Sequence, residues 1–147
     1  MNMSLDSYLT GSGYTRIPLS RSGVGHFHTG GTLNGRPVSV LVDTGASSTL
    51  FGLGVAREMG LALTKLPMFG GGAGAARLDV YKVDGADFRL GEVSPKLAAL
   101  VAMDLSHVNE ALALRGSGAV DAVLGGDVLE AHAAVIDYAG SSLYLKL

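Results

Sequence analysis

The sequence of 147 residues contains no cysteine. That absence removes a disulfide framework, a thiolate metal site and a thiol nucleophile together. Charge is also scarce: Asp, Glu, Lys and Arg make up 16% of the chain, against about 25% in ordinary globular proteins. Eleven Lys and Arg face 13 Asp and Glu, for a formal net charge of −2. No basic field exists to attract nucleic acid or an anionic lipid surface, so neither is expected as a partner. No apolar run approaches the ~20 residues that cross a bilayer, so no membrane span is expected. Met1 to Tyr14 has neither the basic start nor the apolar stretch of a secretory leader. The cytoplasm is the default expectation, with the periplasm as the alternative if a leader has been removed.

What is abundant is apolar side chain, at 48%, and glycine, at 22 residues. The length suits one domain, which can bury roughly 68–70% of its unfolded surface without a covalent staple. Glycine shows no three-residue period, so tight turns between short strands account for it better than a fibrous repeat. A surface so poor in charge suits a chain partly covered by a partner.

Residues 1–13 are polar and end in Gly11-Ser12-Gly13, which reads as a loose arm. Tyr14–Ser20 reads as an edge strand, because Pro18 cannot donate to a ladder. Residues 1–23 are therefore taken as an arm with an edge strand, and 24–147 as the domain proper. Val24–Leu33 and Arg36–Val42 flank Asn34-Gly35, a strong hairpin signal. Val38, Val40 and Val42 alternate with Ser39 and Leu41, as on a strand buried on one face. A short helix is expected at Val55–Met59, stopped by Gly60. Leu61–Pro67 reads as extended, and Phe69–Gly74 as a loop tip. Arg77–Val83 and Ala86–Leu90 read as a hairpin through Asp84-Gly85. Lys96–Met103 is a further strand. Leu105–Arg115 carries helical apolar spacing, with Asp104 or Ser106 to cap it and Gly116 to end it. Ala119–Leu124 is a strand, Asp127–Glu130 opens a helix with Asp127 as its cap, and Ala133–Tyr138 with Ser142–Leu147 form a terminal hairpin. The class is all-β, with two or three short helices.

One segment carries chemistry. Asp43 follows the apolar run Val40-Leu41-Val42 and precedes Thr44-Gly45-Ala46-Ser47-Ser48. An acid at the end of a buried strand is costly unless it is hydrogen-bonded or used. Thr44 supplies a hydroxyl, and Gly45 lets a backbone N–H approach the carboxylate and favour its ionised form. A bare Asp-Thr-Gly reads as an Asx-turn. A second landmark changes that reading: Ala122-Val123-Leu124-Gly125-Gly126-Asp127 leads two apolar residues and a glycine into a short helix.

Together these residues resemble the signature of retropepsin-like, single-domain aspartic proteases, particularly the bacterial ones. The resemblance spans roughly Val24 to Leu147. It implies a closed, barrel-like, mainly antiparallel fold. It also implies an aspartic endopeptidase needing no cofactor and no metal. The chain has one such motif where two-lobed relatives carry two, so the resemblance implies a homodimer pairing two copies of Asp43. The paired carboxylates would share a proton and activate a water against an extended peptide. Thr44 would hydrogen-bond across the dimer axis, Gly45 would line the floor, and Ala46 would complete the loop. Gly70, Gly71 and Gly72 would lie in a flap, and Val123, Leu124 and Gly125 form the second landmark. The terminal Leu143–Leu147 strand is a candidate for the dimer sheet. The alternative is a non-catalytic peptide-binding or dimerisation module on the same fold. A third reading makes Met1–Gly13 a segment removed by the enzyme itself.

Other signals are weaker. His26 and His28 share one side of a strand, but no third ligand is near in sequence. Gly70–Gly74 is not followed by the Lys-Ser/Thr of a phosphate loop, and no serine lies in a nucleophile elbow.

Overall fold

The computed structural model describes residues 3–70 and 77–147. A helix α1 (Leu5–Gly11) leads into β1 (Tyr14–Pro18), β2 (Ser20–Arg21), β3 (Phe27–Leu33), β4 (Arg36–Val42) and β5 (Leu50–Gly52). Then come α2 (Leu53–Glu58), β6 (Ala62–Gly70), β7 (Leu78–Asp84), β8 (Phe88–Arg89) and β9 (Leu100–Met103). The chain closes with α3 (Ser106–Leu114), β10 (Ala122–Leu124), α4 (Gly126–Ala131), β11 (Val135–Asp137) and β12 (Ser142–Lys146). The all-β class holds. The described residues contain four helices, because the N-terminal arm is helical.

That arm is a correction to the sequence reading. Ser4 caps α1 by accepting the Ser7 N–H at 3.1 Å, and Leu9 is buried. The Tyr144 hydroxyl donates to Asp6 Oδ1 at 3.1 Å, tying the arm to the last strand. Leu5, Tyr8 and Leu9 fall at helical spacing, but the polar residues between them hide the docked helix.

Two sheets form. One has the order β1-β12-β11; the other runs β2-β3-β4-β10-β5-β9-β7-β6, with β8 attached to β3. No pairing among the described strands closes the larger sheet into a barrel. The Asn34-Gly35 turn has φ of 50° and 78°, the left-handed pair that joins β3 to β4 tightly. Ala86–Leu90 does not return on β7 as expected; Phe88 and Arg89 pair with Leu33 and Thr32 of β3. The buried Phe88 and Phe51 rings meet edge to face at 4.8 Å, a contact that favours β8 lying across the core.

The core gathers Leu33, Val40, Phe51, Leu124, Leu143 and Leu145, all inaccessible to solvent. Leu41 breaks the expected one-sided pattern of β4. It is buried on the opposite face with Leu112 and Val120, under α3. The chain thus pads the second face of β4 with a helix placed between β9 and β10. Asp104 secures the start of α3 by accepting the Ser106 N–H and hydroxyl at 2.9 and 2.6 Å, which holds its carboxyl below the usual 3.8.

Candidate active site

The site is built where one strand is threaded between two ends of a loop. β4 stops at Val42, the chain turns through residues 43–49, and β5 begins at Leu50. Between those strands lies β10, parallel to β4 with Leu124 opposite Val42, and antiparallel to β5 with Val123 opposite Leu50. The loop therefore arches over the end of β10, and the turn after Leu124 sits beneath it.

Each landmark holds the other in place. The Asp43 N–H donates to Leu124 C=O at 2.9 Å, and the Gly126 N–H donates to Ala46 C=O at 2.7 Å. Within the loop, Gly45 N–H donates to Asp43 Oδ1 at 2.9 Å. A Cβ on Gly45 would stand 3.2 Å from that oxygen, so glycine permits the close approach. Asp43 is half-buried, while Thr44 and Gly45 are exposed. One carboxylate oxygen is thus fixed by backbone, at the edge of the molecule, with the Thr44 side beside it open.

Gly125 is the tightest point between the two landmarks. Its backbone is extended, yet a Cβ there would lie 2.7 Å from the Ser48 carbonyl and 2.9 Å from Ala46 O. The glycine is required by space rather than by an unusual dihedral. Its two apolar predecessors, Val123 and Leu124, are buried.

Asp127 is not the helix cap expected from the sequence. Gly125 occupies the cap position of α4 and makes no side-chain cap bond. Asp127 Oδ1 instead accepts from Thr49 N–H at 2.9 Å, from the Thr49 hydroxyl at 2.7 Å and from Val128 N–H at 2.8 Å. The Thr49 hydroxyl in turn accepts the Gly125 N–H at 2.9 Å. Sequence reading missed Thr49. Its one signal is a polar residue immediately before the apolar return strand Leu50-Phe51.

Of the flap glycines, Gly70 ends β6; Gly71 and Gly72 lie outside the described residues. β6 and β7 form a long hairpin in which Gly70 pairs with Leu78, with an irregularity between Lys65 and Phe69 around Pro67. Gly70 lies against the Met103 sulfur of β9, so closely that a side chain there would collide with it. The two histidines do not share one side of a strand as expected. His28 is inside β3, which is flanked by β2 and β4, and His26 precedes that strand. His28 Nε2 is buried with no hydrogen-bond partner among the described residues. Burial, aided by the nearby His26, pushes the His28 imidazole below its usual 6.5.

Residues 29–128 match the aspartyl protease family. The chain belongs to that family. The match contains both landmarks, Asp43-Thr44-Gly45 and Val123-Leu124-Gly125. Solved structures share the fold of this family member, two of them as follows. A retropepsin-like aspartic protease from Rickettsia conorii superposes with a TM-score of 0.56 at 20% identity, over 90% of each chain. The retroviral protease-like domain of Ddi1 from Leishmania major gives 0.54 at 20% identity, over 80% of this chain and 86% of its own. No curated protein matches the sequence significantly. The expected terminal-strand interface needs correction: β12 already has β1 on one side and β11 on the other, so it has no open edge.

Proposed function

We propose that this family member is an aspartic endopeptidase acting as a homodimer, with Asp43 of each copy forming the catalytic pair. The observation that carries the reading is the anchoring of Asp43. Its backbone is tied to Leu124, one oxygen is fixed by Gly45, and Thr44 beside it is exposed. The other acid of the two landmarks, Asp127, is committed to Thr49. The second carboxylate then has to come from a second copy.

Two carboxylates a few ångströms apart cannot both ionise easily, so the pair holds one proton and titrates as a unit. The ionised member takes a proton from a water lodged between them. The protonated member donates a hydrogen bond to the scissile carbonyl oxygen. Water oxygen adds to the carbonyl carbon, the C–N bond then breaks, and the departing nitrogen receives a proton from the pair. Thr44 would link the two loops across the axis, and Gly45 and Ala46 would form the floor. The β6–β7 hairpin, with Gly70, Gly71 and Gly72 at its end, would close over an extended peptide and pair with it as a strand.

Cleavage of a mixed peptide library by wild type and Asp43→Asn, read by mass spectrometry at about pH 4–7, tests the reading. Loss of about 10²–10⁴-fold or more in Asp43→Asn, with the fold retained, supports it. Equal cleavage by both proteins rejects it. Binding of peptides by both with cleavage by neither favours the non-catalytic module.

A further inference from the structure

We infer that His26 stands beside Asp43, one step past the end of the β3–β4 ladder, and that its charge sets how far into acid the carboxylate pair keeps working. The inference rests on the dimeric protease reading and adds a residue to it.

The placement follows from register. β3 and β4 pair from Leu33 opposite Arg36, at the turn, to Phe27 opposite Val42, at the far end. One further step sets His26 opposite Asp43. In an antiparallel pair, opposed residues alternate between those that exchange hydrogen bonds and those that point their N–H and C=O away from each other. Leu33 and Arg36 flank a two-residue turn and exchange bonds, so by alternation Phe27 and Val42 do too. The next two residues should then face away, and both do. Asp43 N–H goes to Leu124 C=O of β10 at 2.9 Å. His26 C=O accepts Ser22 N–H at 2.9 Å, and His26 N–H donates to Ser22 Oγ at 3.1 Å. Opposed residues of this kind have Cα atoms about 4.5 Å apart and side chains close together.

A short turn pins the histidine there. Gly25 N–H donates to Ser22 C=O at 2.9 Å, and Gly25 has φ of 89°, in the region that favours glycine. The chain thus spends a glycine and a serine on fixing the backbone next to Asp43. His26 itself is exposed and forms no ion pair among the described residues.

Histidine is the side chain that changes charge between about pH 5 and 8. A cation beside a carboxylate favours its ionised form. In mild acid each copy then sets an imidazolium next to its Asp43, and the pair keeps its single-proton state to lower pH. In neutral solution the imidazole is uncharged and leaves the pair alone. His26 acts through Asp43 and touches no reacting atom.

The other charged groups nearby do not substitute for it. His28 on β3 is pushed below 6.5 by burial and then by His26, which keeps it from adding charge until lower pH. Arg21 on β2 is the register partner of Phe27 and stacks over the Phe27 and Tyr138 rings at 5.4 and 5.3 Å. Its charge is constant across this range, so it adds a fixed field. Asp127 is held by Thr49 and Val128. Asp137 at the end of β11 lies against Gly140.

Two measurements test the inference. The chain has no native cysteine, so His26→Cys combined with Asp43→Cys reports the placement without needing activity. Mild oxidation of the dilute protein is expected to close an intrachain disulfide, found by peptide mapping, because Cα atoms about 4.4–6.8 Å apart can be bridged. His28→Cys combined with Asp43→Cys is a diagonal pair and is expected to stay unlinked. The second measurement is kcat/KM against pH for wild type, His26→Gln and His26→Lys. In His26→Gln the acid limb is expected to move up by about half a pH unit, the effect of one charge several ångströms away in a water-like medium. His26→Lys keeps the cation and is expected to keep the wild-type limb. An unlinked first pair, an unmoved limb in His26→Gln, or equal displacement in both variants overturns the inference while an active wild type leaves the protease reading intact. A folded, dimeric wild type that cuts no peptide sinks the protease reading and this role of His26 with it.

Discussion

Thr49 and Asp127 stand 78 residues apart and share one carboxylate oxygen, which accepts both the N–H and the hydroxyl of the threonine. Thr49 is 1% exposed, so these bonds replace water that cannot reach it. The same hydroxyl receives the Gly125 N–H, and one short relay binds the first landmark's loop to the second. Removing the carboxylate leaves a buried N–H without a partner, at a cost of about 1–3 kcal/mol. Asp127→Ala is expected to lower stability by that amount in urea unfolding, and Asp127→Asn, which keeps an acceptor oxygen, by clearly less. Equal stability in all three proteins would show that water takes over the role.

Gly125 is predicted to be less forgiving than its neighbour. A methyl group there meets backbone atoms of Ser48 and Ala46 below 3.0 Å, whereas at Gly126 the nearest atom is 3.4 Å away. Backbone cannot rotate aside as a side chain does, so Gly125→Ala must spread β10 from the Asp43 loop. Overpacking of this kind costs about 1–3 kcal/mol or more. Gly125→Ala is expected to lose both thermal stability and cleavage, and Gly126→Ala to stay close to wild type. Matching melting temperatures for Gly125→Ala and wild type would refute the argument.

Stability should also depend on pH through His28. In the unfolded chain its imidazole takes a proton near the ordinary 6.5, but in the fold burial and His26 delay that uptake to lower pH. Between those two values the unfolded chain binds more protons, so stability falls as pH drops. The contribution is complete above 6.5 and is lost as pH falls through the folded value. Comparing unfolding midpoints at about pH 7.5 and pH 5, wild type is expected to lose more stability than His28→Gln. Identical slopes would assign the acid sensitivity to other groups.

Local signals were legible where one residue type has one physical consequence. Asn34-Gly35 could only turn left-handed, and Arg36–Val42 read directly as the strand bearing Asp43. Asp43 and Gly125 stood out because a carboxylate at a strand end and a glycine after two buried residues both need explaining. Partners chosen by tertiary contact were not legible. The pairing of Phe88 with β3 depends on a ring from Phe51, and the burial of Leu41 depends on a helix that comes some 70 residues later. Asp127 looked like a cap because its sequence neighbours fit one. The Thr49 hydroxyl that claims it becomes a neighbour only when β10 is threaded beside β5.

The loop end of the β6–β7 hairpin offers a prediction that couples two strands. Gly70 of β6 lies against the Met103 sulfur, and Val80 Cγ2 would stand 3.2 Å from a Cβ there. Met103 is itself buried, and Ala102 beside it pairs with Tyr81 of β7. The hairpin therefore rests on β9 through a contact with room for a hydrogen and no more. Gly70→Ala pushes against a flexible thioether rather than backbone, so its cost to stability should be near the low end of overpacking, about 1 kcal/mol. Its effect on cleavage should be larger if, as proposed, the displaced strand closes over the peptide. Met103→Ala removes the obstructing atom, and the double variant is expected to recover most of the cleavage that Gly70→Ala loses. The two changes should be non-additive by about 0.5 kcal/mol or more, as for residues in direct contact. Measuring kcat/KM for the four proteins decides it. Strict additivity would mean that Gly70 acts through the chain beyond it and not through Met103.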